Sequence, residues 1–211
     1  MFKGLFGTKR TDDAPLSDEQ FWVWFATESK RLRVISGPKL VDTLCCMMQR
    51  VDEGLWAFVN EPSDNDREFI VSADGHRERA PAVRRIVDAA PDVEGWDIIA
   101  FKPRFAEPLT FIEFEGQRVE ANDIRLLYYP GEGSVDIAVF LRDAKAPGSY
   151  KAAEGVLRML DSALGEADMI ERVGKVMFHP LEQAPAGAYP WEDAARVFDA
   201  AWASKNPHAS E

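Results

Sequence analysis

Apolar residues recur at intervals of three and four in five stretches of the chain, which is the spacing of an amphipathic helix. The first stretch follows Ser17 and Gln20, whose spacing is that of a capping box at a helix N-terminus. Pro91 and Gly165 are placed to end two of the later stretches. The pattern therefore predicts five helices, near residues 17–35, 40–51, 83–90, 153–164 and 191–201.

Short apolar and aromatic runs separated by turn residues predict strands between these helices. Glu115-Gly116 and the segment 131–133, Gly-Glu-Gly, are typical of tight hairpin turns. A final apolar run after the fourth helix predicts a returning strand. The strands are predicted at residues 55–61, 68–72, 96–101, 111–114, 117–119, 124–129, 135–141 and 170–178.

The order of these elements predicts an α+β fold: a mixed, largely antiparallel sheet built from two ββαβ-like passes and covered by N- and C-terminal helices. We expect a flexible arm at 1–16, a single domain at 17–203 and a tail at 204–211. The passes, 55–103 and 124–180, form a possible internal repeat. The segments 96–103 and 173–180 align at a separation of 77 residues, and each ends in Phe, a basic-type residue and Pro.

Charge and cysteine content limit the classes of partner. The chain has 36 acidic and 25 basic side chains, for a net charge of −11, and this field repels nucleic acid and anionic lipid head groups. Cys45 and Cys46 are adjacent and are not expected to form a disulfide. No apolar run approaches the roughly 20 residues that span a bilayer. We therefore expect a cytoplasmic protein with no nucleic-acid or membrane partner.

Asp74, His76 and Glu78 lie close together after a predicted strand, where α/β sheets often place ligands. A histidine flanked by carboxylates could act as a general base. The same residues are also typical of a plain Asp-Gly turn followed by a solvated, charge-alternating helix entry, and this second interpretation is favoured.

Basic residues offer a second candidate site. Lys102, Arg104 and His179 could line a pocket that binds a ligand. Lys102, Arg104, Arg118 and Arg125 could also gather into a local basic site, although scattered surface charge explains these cations as well. The three histidines and two cysteines have no zinc-ligand spacing, so no metal is expected. The Gly-Glu-Gly turn lies between two predicted strands and is not followed by a helix, so it does not predict a phosphate-binding loop, and no cofactor is expected.

The first helix carries an additional aromatic residue. Trp22 lies about 100° from the apolar stripe formed by Phe21, Trp24 and Phe25. Because exposed tryptophan is enriched at interfaces, Trp22 is a candidate contact for a protein partner or for self-association.

The segment from Phe69 to His76, Phe-Ile-Val-Ser-Ala-Asp-Gly-His, and the segment from Trp96 to Arg104, Trp-Asp-Ile-Ile-Ala-Phe-Lys-Pro-Arg, follow an aromatic Phe-Trp-Val-Trp-Phe run at 21–25. Together they resemble a family of uncharacterised bacterial proteins. The resemblance implies a bacterial, conventionally folded, non-membrane protein. It implies no activity, cofactor or catalytic residue.

Two functions follow from these features. The first is a non-enzymatic binding or interaction protein. The second is an enzyme or small-molecule-binding protein with a pocket between the two passes near Asp74 and His76. A deep pocket lined by His76, Lys102, Arg104 or His179 favours the second, and a shallow apolar patch that includes Trp22 favours the first.

Overall fold

The computed structural model of the protein describes residues 14–35, 37–63, 66–142 and 149–206. Contacts within the chain divide it into two units, with the division between Lys102 and Pro103. Each unit has its own strands and its own buried residues, and each is described separately. The single domain at 17–203 stays a prediction. Most of the predicted arm and tail lies outside the described residues.

The first unit contains three helices and one sheet. The elements in chain order are α1 (Asp18–Leu32), α2 (Pro38–Val51), β1 (Trp56–Asn60), β2 (Arg67–Ser72), α3 (Ala80–Asp88) and β3 (Trp96–Ala100). The strand order is β1-β2-β3; β2 is antiparallel to β1 and parallel to β3. This arrangement is the predicted ββαβ pass.

Helix α1 begins at the capping box that the sequence predicts. The Ser17 hydroxyl accepts a hydrogen bond from the Gln20 amide at 3.2 Å, and the Gln20 side-chain oxygen accepts one from the Ser17 amide at 2.9 Å. The helix buries the rings of Phe21 and Phe25 completely, and the Phe25 ring stacks on Phe69 of β2 with ring centroids 5.2 Å apart. Aromatic packing therefore joins the first helix to the sheet.

The prediction that Trp22 is an exposed contact is wrong. Its side chain is only 4% exposed, and its indole N–H donates to the Ile86 carbonyl of α3 at 3.0 Å. The predicted stripe was too narrow because α1 packs against both β2 and α3, so a wider arc of the helix is buried. Trp24, which the pattern placed on the stripe, is only half-buried.

Helix α2 covers the open edge of β1 through a cysteine. The Cys45 sulfur lies 3.3 Å from the amide nitrogen of Ala57 and 3.3 Å from its carbonyl oxygen. Ala57 is 1% exposed, so these backbone groups have little access to water. The thiol therefore supplies the hydrogen bonds that a neighbouring strand would make, whereas Cys46 is exposed.

The second unit has a two-stranded and a four-stranded sheet. Its elements in chain order are β4 (Phe111–Phe114), β5 (Gln117–Glu120), β6 (Ile124–Pro130), β7 (Val135–Leu141), α4 (Ser149–Leu164), α5 (Glu166–Glu171), β8 (Val173–Pro180), β9 (Tyr189–Pro190) and α6 (Ala194–Lys205). Strands β4 and β5 form a hairpin, and the larger sheet has the order β8-β7-β6-β9. With these mixed, mostly antiparallel sheets and terminal helices, the protein belongs to the predicted α+β class.

Two elements of the second unit differ from the prediction. Residues 166–171, which include the start of the predicted returning strand, form α5, and β8 begins only at Val173. Gly165 separates α4 from α5 with a φ of 80°, and Glu166 and Asp168 lie in the first turn of α5, where the helix dipole favours acidic side chains. The two-residue strand β9 has no sequence signal of its own.

The two passes have the same internal topology. Strand β7 is antiparallel to β6 and parallel to β8, just as β2 is antiparallel to β1 and parallel to β3. The β7–β8 ladder contains a bulge between Val135 and Ile137. There the Asp136 carboxylate accepts a hydrogen bond from the Lys175 amide at 2.7 Å. Duplication as the origin of this shared topology stays a hypothesis.

Candidate functional site

The turn after β2 presents Asp74, His76 and Glu78 to solvent. Asp74 and Gly75 both have positive φ, and the His76 amide closes the turn on the Ala73 carbonyl at 3.0 Å. His76 Nδ1 lies 3.2 Å from Glu78 Oε1, with the two side chains 53% and 72% exposed. A hydrogen bond from its own backbone amide, followed by the nearby His76, lowers the pKa of the Glu78 carboxyl below its ordinary value. The turn thus has the geometry of the solvated helix entry that the sequence favoured.

The candidate ligand residues Lys102 and His179 have aromatic surroundings. Lys102 Nζ lies 5.4 Å from the ring centroid of Phe58 in the first unit. In the second unit, the His179 ring stacks on Phe140, its neighbour across the β7–β8 ladder, with centroids 5.3 Å apart. Both side chains are half-buried against rings.

Arg104 is committed to internal contacts of the second unit. Its Nε donates to the Leu164 carbonyl at 2.7 Å, which satisfies a carbonyl at the end of α4. Its two terminal nitrogens donate to the carboxylates of Asp168 in α5 and Asp199 in α6. These hydrogen bonds, those of Asp199 first, raise the pKa of the guanidinium above its ordinary value. Arg104 therefore ties three helices together and is not free to bind a ligand.

An open pocket of about 400 Å³ lies in the second unit, where β6 begins and β7 ends. One wall is the segment between β8 and β9, in which two backbone hydrogen bonds, from Ala184 to Leu181 and from Ala188 to Pro185, form successive turns. The side chains of this segment that line the pocket are apolar and mostly small. The lining residues are Asn122, Arg125, Arg142, Leu181, Ala184, Pro185, Ala186 and Ala188.

The hairpin register brings the two arginines of the pocket close in the fold. Arg125 pairs with Phe140, and Ile124 pairs with Leu141, so Arg142 follows directly at the end of the ladder. The Arg142 amide donates to the Asp123 carbonyl at 3.1 Å, and its Nε donates to the Asp123 carboxylate at 2.6 Å. The pairing with Asp123 sets the position of the Arg142 side chain.

Arg125 is held differently from the other arginines of this unit. Its Nη1 donates to two backbone carbonyls, at 2.7 Å to Ile124 and at 3.3 Å to Asn122. Within the described residues, neither its Nε nor its Nη2 has an acceptor, and no carboxylate pairs with it. The guanidinium is thereby fixed at one nitrogen while two donors on its other edge remain available.

The electrostatic character of the pocket is opposite to that of the whole chain. The chain has a net charge of −11, yet the lining contains Arg125, Arg142 with its Asp123 partner, and no acidic residue of its own. A guanidinium with two donors on one edge matches the two oxygens of a carboxylate or phosphate. The chemistry available here is anion binding next to an apolar wall.

The sequence did not indicate this site. Arg125 was predicted only as a possible member of a basic site with Lys102, Arg104 and Arg118, which do not line the pocket, and Arg142 was not predicted. The available signal was the hairpin: Arg142 lies two residues beyond Phe140, the partner of Arg125, so the two-residue period places both arginines on one face of the ladder. Arg104, His179 and the residues of the 74–78 turn do not line the pocket.

No helix of the described residues is long and apolar enough to cross a membrane. In the same part of the chain, no cluster of three or more His, Cys, Asp or Glu side chains is arranged to hold a metal ion. No protein-family model, curated protein or solved structure matches the sequence or the fold. The resemblance to a bacterial family therefore stays a prediction.

Proposed function

We propose that this protein is a non-enzymatic binding protein whose second unit holds an anionic group, a carboxylate or a phosphate, in the pocket between Arg125 and Arg142. The observation that carries the proposal is the half-buried Arg125 guanidinium, which is fixed by backbone carbonyls and has no carboxylate partner among the described residues. Other arginines of this unit, Arg104 and Arg142 among them, have such partners.

The apolar wall strengthens the proposal. Ala184, Pro185 and Ala186 line one side of the open pocket, so they offer an apolar contact to the part of a ligand next to its anionic group. The alternative, an enzyme or a small-molecule-binding pocket near Asp74 and His76, stays a prediction. In the structure those side chains lie on an exposed turn.

The class of partner and the cellular location are proposed from the net charge and the cysteines. The net charge of −11 favours a partner other than nucleic acid, and two adjacent cysteines without a disulfide fit the reducing cytoplasm. We therefore propose a cytoplasmic location.

Titration calorimetry and amide chemical shifts test the proposal, with acetate, benzoate and inorganic phosphate as probes. We expect shifts of the Arg125 and Ala186 amides and a loss of about tenfold or more in affinity for Arg125→Ala, because a charge-assisted hydrogen bond contributes about 1.5–3 kcal/mol. Arg118→Ala is the matched control: this arginine is exposed, pairs with Glu120 and lies outside the pocket. Equal binding by both variants, or shifts confined to other residues, contradicts the proposal.

A further inference from the structure

The pocket of the second unit lies at the carboxyl ends of its two parallel strands. Strand β7 ends at Leu141 and β8 at Pro180, and these two residues pair in the ladder. Arg142 and Leu181, which follow directly, both line the pocket. In open α/β sheets, ligands bind outside the carboxyl ends of the strands. The strand topology therefore favours this pocket as a ligand site independently of its charge.

The charges of the pocket suit a ligand with a single negative charge. Arg142 is paired with the Asp123 carboxylate, so these two groups neutralise each other. Arg125 is then the lining residue whose charge no carboxylate of the described residues balances. A phosphate monoester carries about −1.5 to −2 charges at pH 7, and the net charge of −11 on the chain repels the excess. A monoanion such as a carboxylate fits this balance better.

The backbone amides around the pocket are poorly placed to hold phosphate. Phosphate sites commonly use several backbone N–H groups, at a helix N-terminus or in a nest. Here the amides of Ala184, Ala188 and Arg142 already donate to carbonyls of the same unit, and Pro185 has no N–H. None of the lining residues lies in the first turn of an α-helix. The Nε and Nη2 edge of Arg125 is left as a pair of donors, which matches the two oxygens of one carboxylate.

The remainder of the lining is mostly hydrocarbon. Five of the eight lining residues have apolar side chains: Leu181, Ala184, Pro185, Ala186 and Ala188. The pocket volume of about 400 Å³ is near the lower end of the range for small-molecule sites, about 300–1,000 Å³. A ligand that fills this space is therefore small, and its body meets alkyl groups next to the guanidinium.

Resting on the proposed function, we propose that the ligand is a small organic acid with one carboxylate and a short hydrocarbon body. The carboxylate accepts hydrogen bonds from Nε and Nη2 of Arg125. The body packs against Leu181 and the alanine and proline side chains of the segment between β8 and β9.

The experiment is titration calorimetry on the full chain with acetate, butyrate and hexanoate, and with hexanamide and methyl phosphate for comparison. Burial of a methylene group raises affinity by up to about fourfold, and in this open pocket we expect about two- to fourfold per added methylene. Hexanamide has the same body without the charge, so it should bind about tenfold or more weakly than hexanoate. Methyl phosphate should bind more weakly than acetate.

Substitutions separate the contribution of the guanidinium from that of the apolar lining. Arg125→Ala should bind hexanoate no better than hexanamide. Leu181→Asn, which is similar in size, should leave acetate affinity unchanged and reduce the gain per methylene. Ala186→Asp, at an exposed position that tolerates a polar residue, should weaken the binding of every carboxylate and leave hexanamide unaffected. Arg118→Ala should bind all five probes as the unaltered protein does.

The outcomes distinguish this inference from the proposed function. If methyl phosphate binds at Arg125 more tightly than acetate, or if chain length does not raise carboxylate affinity, the inference is overturned while the proposed function stands. Equal affinity of hexanoate and hexanamide for the unaltered protein also overturns the inference. If no probe loses affinity in Arg125→Ala, both proposals are wrong.

Discussion

Replacement of Cys45 by alanine tests whether a thiol can stand in for a missing strand. The change removes the hydrogen-bond partner of both the amide and the carbonyl of Ala57, which is 1% exposed. A buried backbone group without a partner costs about 1–3 kcal/mol. Sulfur forms weak hydrogen bonds and Cys45 itself is half-buried, so the lower end of that range applies to each group. We expect Cys45→Ala to lower the free energy of unfolding by about 2 kcal/mol.

The neighbouring Cys46 provides a matched control. It is exposed on the same helix, and Cys46→Ala makes the same chemical change with a slightly better helix former. This variant should change the free energy of unfolding by less than about 0.5 kcal/mol. Cys45→Ser should fall between the two, since a hydroxyl can donate and accept but has a shorter reach than a thiol. Urea unfolding followed by tryptophan fluorescence measures all three, and equal midpoints for Cys45→Ala and Cys46→Ala would refute the reasoning.

The same contact makes the two thiols differ in reactivity and in pH dependence. Burial raises the pKa of Cys45, outweighing the opposing effect of its hydrogen bond with Ala57, and Asp42 raises it further. Cys46 should therefore react first with a thiol reagent at mildly alkaline pH. Because the pKa of the Cys45 thiol is raised in the folded state, the unfolded chain loses the Cys45 proton first as pH rises. Stability should thus decline above a pH of about 8.5, and this part of the decline should be absent in Cys45→Ala.

Two further substitutions address positions that the sequence had marked as possible functional residues. Trp22→Phe removes the indole N–H that donates to the Ile86 carbonyl, so it should lower the free energy of unfolding in urea by about 1–3 kcal/mol, and Trp24→Phe should lower it less. A stable Trp22→Phe variant with an altered oligomeric mass would restore the interface interpretation. Arg104→Met leaves two carboxylates without their shared cation, so it should lower the free energy of unfolding by about 1–3 kcal/mol, and by less at high salt. Anion affinity should not change. Weaker acetate binding by a folded Arg104→Met variant would return this arginine to the candidate site.

The sequence predicted the elements whose residues have a clear period, and it missed those defined by a few residues. The helix at Ser17 was predictable because its cap and its apolar residues agree. Helix α5 was not, because six residues are too few to show a helical period next to an apolar strand. Trp22 was misplaced because a helical wheel assumes one buried stripe, while α1 packs against a strand and a second helix.

The pocket could not be predicted from the sequence, and the reason is different. Arg125 and Arg142 are brought together only if the β6–β7 hairpin has its observed register, with Tyr129 opposite Asp136 and Ile124 opposite Leu141. A slip of one residue would place the arginine side chain on the opposite face of the sheet. The glycines at 131 and 133 predict a hairpin turn but do not define its register, so the pairing of the two arginines could not be derived from them.

The repeat shows how a matching motif can mislead about register. The sequence alignment sets Phe101 against Phe178 at a separation of 77 residues, and the first ladder residues, Trp96 and Val173, have that separation. The bulge at Asp136 then adds one residue to β8. When the buried residues of β2 and β7 are matched, Val71 with Val139, their partners are Ala100 and Phe178, a separation of 78 residues. Phe178 therefore occupies the position of Ala100, so a test of duplication must align the two ladders and not the Phe-x-Pro motif.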